Sequence, residues 1–76
     1  MMNKVGLYIK HEREARGMSL RDLAVQSGVT HSHIWNVEWG NCDITIMHLE
    51  RIAEAFKLSL VEFLIAAGYE YDPALF

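Results

Sequence analysis

The chain has 76 residues, enough for one small domain and near the lower limit at which a chain buries its own core without staples. Hydrophobic residues make up 51% of it, which excludes a disordered polymer; the single cysteine, Cys42, excludes an internal disulfide or a multi-cysteine metal centre and fits a reducing cytoplasm. The net charge of −3 argues against a globally basic nucleic-acid binder, but Lys4, Lys10, Arg13, Arg16 and Arg21 all precede residue 22, and no Lys or Arg occurs from Asp22 to Glu50.

The punctuation is helical throughout. Pro73 is the single proline, and no apolar–polar alternation is sustained enough to suggest a sheet. The spacing predicts five helices, at about 3–16, 20–27, 31–38, 46–56 and 60–67. Within the first, Val5, Ile9 and Tyr8 make an apolar stripe that Glu12 and Arg13 interrupt. A charge on an inward face needs a partner, and Glu38 is the natural one for Arg13. Gly17 supplies a left-handed stop, after which Ser19-Leu-Arg-Asp22 reads as a capping box with Asp in the place of Glu. The second helix buries Leu23 and Ala24 and stops at Gly28. Thr30 caps the third, whose inner face is Ile34 and Val37. Thr45 caps the fourth, which buries Leu49, Ile52, Ala53 and Phe56. Ser59-Leu-Val-Glu62 is a full capping box for the fifth, with Leu60, Phe63 and Leu64 inward, and Met18 and Val29 plug the connections. The fold expected is all-α: one five-helix domain over residues 1–68, then an aromatic tail, 69–76.

A helix ending in Gly, a second containing Leu-Ala, a Gly-Val turn and a third ending Val-Glu-x-Gly form a specific order. The chain resembles the Cro/repressor-type helix-turn-helix family, also called the xenobiotic-response-element (XRE) family. The resemblance rests on Gly6, Ile9, Arg13, Gly17, Ser19, Leu23, Ala24, Gly28, Val29, Ile34, Val37, Glu38 and Gly40, and further on Thr45, Leu49, Ile52, Ala53, Phe56, Ser59 and Leu64. It covers about residues 5–66. It implies a lambda-repressor-like fold in which helices two and three form the helix-turn-helix and the third enters the major groove. It also implies that Arg13 and Glu38 form a structural ion pair, and that the protein regulates transcription as a homodimer on a palindromic double-stranded operator. The NCDITI insert before the fourth helix looks most like the restriction–modification controller version of the loop.

On that framework His31, Ser32 and Asn36 take base-facing positions, with His33 beside them. Asn36 has the chemistry to pair with adenine, His31 to donate to guanine, and Ser32 to donate or accept. Phosphate would be held by the helix starts at Ser19 and Thr30, by Lys10 and Arg21, and by Asn41 just past the third helix. Protonation of His31 and His33 would restore charge that Lys or Arg normally supplies, so that affinity would rise as pH falls. The sequence departs from the family pattern at Leu20, where Gln is frequent, and at Trp39, where a basic residue or Asn is common. It departs again at Glu12, where Leu is usual, and at Lys57, where Gly often ends the fourth helix.

Other chemistries find little support. No Gly-rich phosphate loop, Ser elbow or helical zinc pair is present, so neither an enzyme nor a cofactor is expected. His31 and His33, two apart, point to different helix faces, so with His48 they make a poor metal site. No leader segment opens the sequence and no apolar run approaches the roughly 18 residues of a membrane helix, so a soluble cytoplasmic domain is expected. Leu60, Val61, Ile65, Tyr69, Tyr71, Leu75 and Phe76 exceed what a lone core needs and are expected at a dimer surface. The runner-up reading is an antitoxin-like protein-interaction module, with Trp35 and Trp39 as the partner-binding patch.

Overall fold

The computed structural model describes residues 4–68. Five helices account for most of them: α1 (Lys4–Ala15), α2 (Leu20–Ser27), α3 (His31–Glu38), α4 (Ile46–Ala55) and α5 (Leu60–Ala66). Each boundary lies within one residue of the sequence expectation, because the caps that set it are local. Ser19, Thr30, Thr45 and Ser59 all hold extended backbone and accept an N–H of the first turn through their hydroxyls. The two capping boxes at Ser19–Asp22 and Ser59–Glu62 are both closed. Gly17 and Gly28 take left-handed φ of 68° and 74° at the ends of α1 and α2.

The core gathers one face from every helix. Ile9, Leu23, Ile34, Val37, Ile52, Ala53 and Phe63 are completely buried, with Val5, Val29, Leu49 and Phe56 around them. Helix α2 packs on α3 and α4, α1 on α3, and α5 on α4. Phe63 stands between Phe56, stacked at 6.4 Å between centroids, and Tyr8, edge-on at 4.9 Å, and so links α5 to both α4 and α1.

The broken stripe of α1 is resolved by two ion pairs. Arg13 reaches inward to Glu38, which is 1% exposed, whereas Glu12 pairs with Arg16 one turn along its own helix. Arg16 also donates to the Phe56 carbonyl at 3.1 Å and lies 4.6 Å over the Phe56 ring. It therefore closes the C-terminal end of α4. The expected tail and dimer residues Tyr69, Tyr71, Leu75 and Phe76 lie outside the described residues.

Candidate nucleic-acid interface

The α2–α3 junction is set by three residues. Gly28 turns the chain with a left-handed backbone, Val29 drops into the core at 3% exposure, and Thr30 starts α3. Buried Ser27 braces the turn: its hydroxyl donates to the Leu23 carbonyl at 2.7 Å and accepts the Val29 N–H at 3.2 Å. With α2 held against α4, this turn leaves one side of α3 open to solvent.

At 3.6 residues per turn, positions four apart stack along a helix, so the open side of α3 can be read directly. Ile34, Val37 and Glu38 are buried. His31, Ser32, Trp35 and Trp39 are exposed and Asn36 is half-buried. His31, Trp35 and Trp39 follow one line down the outer arc, and Ser32 and Asn36 the next. Three of the four expected base-facing residues therefore share one face.

His33 does not join them, which corrects the sequence expectation. It is half-buried, its Nδ1 lies 3.9 Å from Cys42 Sγ, and its ring meets His48 of α4 edge-on at 5.2 Å between centroids. Nε2 of His33 and Nδ1 of His48 are both buried with no hydrogen-bond partner. One position past Ser32 on a helix points away from the open arc, so His33 closes the α3–α4 seam. Of the two histidines expected to gain charge toward a ligand, His31 alone stands on the open side.

The expected phosphate contacts divide. Arg21 and Asn41 are exposed, and the Asn41 N–H donates to the Asn36 carbonyl at 2.8 Å. Thr30 stands at the open end of α3, where its hydroxyl accepts the His33 N–H at 3.3 Å. Lys10 pairs with Glu14 at 3.4 Å, and its ammonium sits 5.6 Å from the centre of the Trp39 ring. Ser19 is already engaged: its N–H donates to the Asp22 carboxylate at 2.8 Å, and its hydroxyl accepts the Asp22 N–H at 3.0 Å. These bonds hold the Asp22 carboxyl below its usual range, the backbone N–H having the larger effect. An anion approaching this end of α2 meets the Asp22 carboxylate. Leu20, which stands where Gln is frequent, packs partly on the core.

Arg13 and Glu38 meet as a two-pronged pair, with Nε to Oε2 at 2.8 Å and Nη2 to Oε1 at 3.1 Å, and Arg13 also donates to the Met18 carbonyl at 2.9 Å. The Glu38 hydrogen bond is the main reason the Arg13 guanidinium holds its proton more tightly than usual. The pair ties α1 and the α1–α2 turn to the last residue of α3, fixing the angle of the open arc. In the sequence Gly6 stands out only as one of the residues that carry the family resemblance; the close approach comes from the fold. A Cβ there would land on the Val37 carbonyl oxygen, with Glu38 Cα and O both at 3.2 Å. A glycine inside a helix, where it costs stability, was the available signal.

Two short helices joined through Gly28–Val29, the second with a free polar arc, define a helix-turn-helix domain. A family model described as a helix-turn-helix domain matches residues 4–64. A protein of Sinorhizobium fredii (strain NBRC 101917 / NGR234), called "Uncharacterized HTH-type transcriptional regulator y4dL", is 38% identical over 53 residues, covering 70% of this chain and 27% of the relative. The chain thus spans just over a quarter of that relative's length. Among solved structures, the clp gene regulator ClgR of C. glutamicum superposes with a TM-score of 0.73 at 26% identity, covering 84% of this chain and 83% of the other. An HTH_3 family transcriptional regulator from Vibrio cholerae gives 0.75 at 29% identity, covering 95% of this chain and 38% of its own. The chain belongs to the Cro/repressor-type (XRE) helix-turn-helix family of transcriptional regulators.

Proposed function

We propose that this domain binds a specific double-stranded operator as a homodimer, with α3 in the major groove, and thereby regulates transcription in the cytoplasm. The observation that carries the reading is the shared outer face of His31, Ser32 and Asn36 on a helix whose other side is buried. These three supply the donors and acceptors for base edges. Lys10, Arg21, Asn41 and the unpaired first-turn N–H groups of α3 above Thr30 supply phosphate contacts on either side. Ser19 contributes less, because Asp22 occupies its N–H.

One domain of this size covers half a palindromic site, so pairing is required for useful affinity. Val61 and Ile65, one turn apart on α5, are 53% and 50% exposed and form the described part of the dimer surface. Leu60 packs partly on its own core and contributes less. Among the described residues no helix is long and apolar enough to cross a membrane.

The test is selection from a randomised duplex pool at low salt, with recovered sites measured again across a salt series. A palindromic consensus whose affinity falls steeply with salt, by a log–log slope of about −0.9 for each phosphate neutralised, is the expected result. A folded protein that enriches no sequence overturns the reading.

A further inference from the structure

The outer arc of α3 is not purely polar. Trp35 lies on the line of His31, beside the line of Ser32 and Asn36, and is 46% exposed; Trp39, one turn on, is 45% exposed. The two rings are tilted 45° to each other with centroids 6.1 Å apart. Neither is needed by the core, since Ile34 and Val37 fill the inner face with no exposure left. Two half-exposed indoles on one short helix leave an apolar surface that the chain itself does not cover.

We infer that Trp35 is a specificity-determining residue of the proposed DNA interface and selects thymine at the base step it covers, through the thymine C5-methyl. The inference rests on the DNA-binding reading above. A ligand that covers Trp35 must also cover His31 and Asn36, so it has to present polar edges and an apolar group side by side. The major groove does so: its hydrogen-bonding edges are interrupted by one kind of apolar group, the methyl of thymine. Charge favours the same occupant. The Lys10 ammonium, which pairs with Glu14 at 3.4 Å, sits over the outer ring, Trp39, at 5.6 Å, so the apolar surface ends at a cation within reach of a phosphate that displaces Glu14. Trp39 therefore faces the sugar–phosphate edge, where it holds Lys10, and Trp35 faces the bases.

Methyl removal tests this directly. In an operator recovered by selection, each thymine is replaced by deoxyuridine, which keeps every hydrogen bond and deletes the methyl. The wild-type protein should lose about fourfold in affinity at one position per half-site, the worth of burying a single methyl group. Trp35→Ala should bind the thymine and uracil operators equally, whereas Trp39→Ala should bind both more weakly and keep the uracil penalty. Circular dichroism on each variant checks the fold, which is not at risk at half-exposed positions. Equal wild-type affinity for thymine and uracil operators overturns the inference and leaves the DNA reading standing. So does a uracil penalty undiminished in Trp35→Ala. An unchanged operator affinity in Trp35→Ala points instead to a protein-docking role and overturns it as well. Failure of the wild-type protein to bind any duplex removes both readings together.

Discussion

Three residues carry constraints out of proportion to their size. Glu38 is buried with Arg13 as its partner, and removing one member of such a pair strands a charge in the core. Arg13→Ala should lose about 3–5 kcal/mol in urea unfolding, whereas the double change Arg13→Met with Glu38→Leu should recover most of it. Gly6 sits against the backbone of α3, which cannot move aside as a side chain does. Gly6→Ala should therefore cost at least about 2 kcal/mol by the same measurement, although alanine is the better helix former. Lys57 stands where the family often ends its fourth helix with glycine, and it holds a left-handed φ of 61°. Lys57→Gly should stabilise the domain by about 0.5–1 kcal/mol, seen as a rise of a few degrees in Tm. The conformation there is fixed by the turn, since the Lys57 N–H donates to the Glu54 carbonyl at 2.9 Å.

At the scale of single helices, α2 and α5 start alike and should respond alike to acid. The Asp22 and Glu62 carboxyls are held below their ordinary values of 3.8 and 4.5, chiefly by the Ser19 and Ser59 backbone N–H groups and then by the hydroxyls. In the unfolded chain these groups take up protons first. Their contribution to stability is therefore complete above about pH 4.5 and is lost as pH falls through the lower folded-state values. An acid titration by circular dichroism should show this loss, and Asp22→Asn with Glu62→Gln should flatten it. Helix α3 lacks such a box: Thr30 caps it through the His33 N–H alone. Its start is therefore without a carboxylate of its own. The α2 start, by contrast, is closed by its own carboxylate.

For the whole molecule, charge and surface apolarity decide what the fold is for. The basic side chains nearest α3 come from α1 and α2, so the phosphate contacts proposed above draw on three elements. The stretch from Asp22 to Glu50 carries no Lys or Arg, so the proposed base contacts fall to His31, Ser32 and Asn36. Association is expected through α5. Val61→Glu with Ile65→Glu should sediment as a monomer at concentrations where the parent is a dimer, and should bind the operator more weakly without unfolding. A parent that is monomeric throughout the micromolar range would contradict the dimeric reading.

The sequence by itself determined the helices, their ends and nearly all of the core, because caps, left-handed glycines and the 3.6-residue period act within a few neighbours. It also placed Arg13 opposite Glu38, since an inward charge must find its opposite. Tertiary structure alone decided the rest. His33 and Ser32 are adjacent and both polar, yet packing against Cys42 and His48 turns one inward and leaves the other on the open arc. Gly6 is one glycine within α1, and only the packing of α3 against it leaves no room for a Cβ. Trp39 came to rest beneath Lys10, a partner from another helix. These outcomes depend on which surfaces meet when the helices pack, and residues distant in the chain set those surfaces.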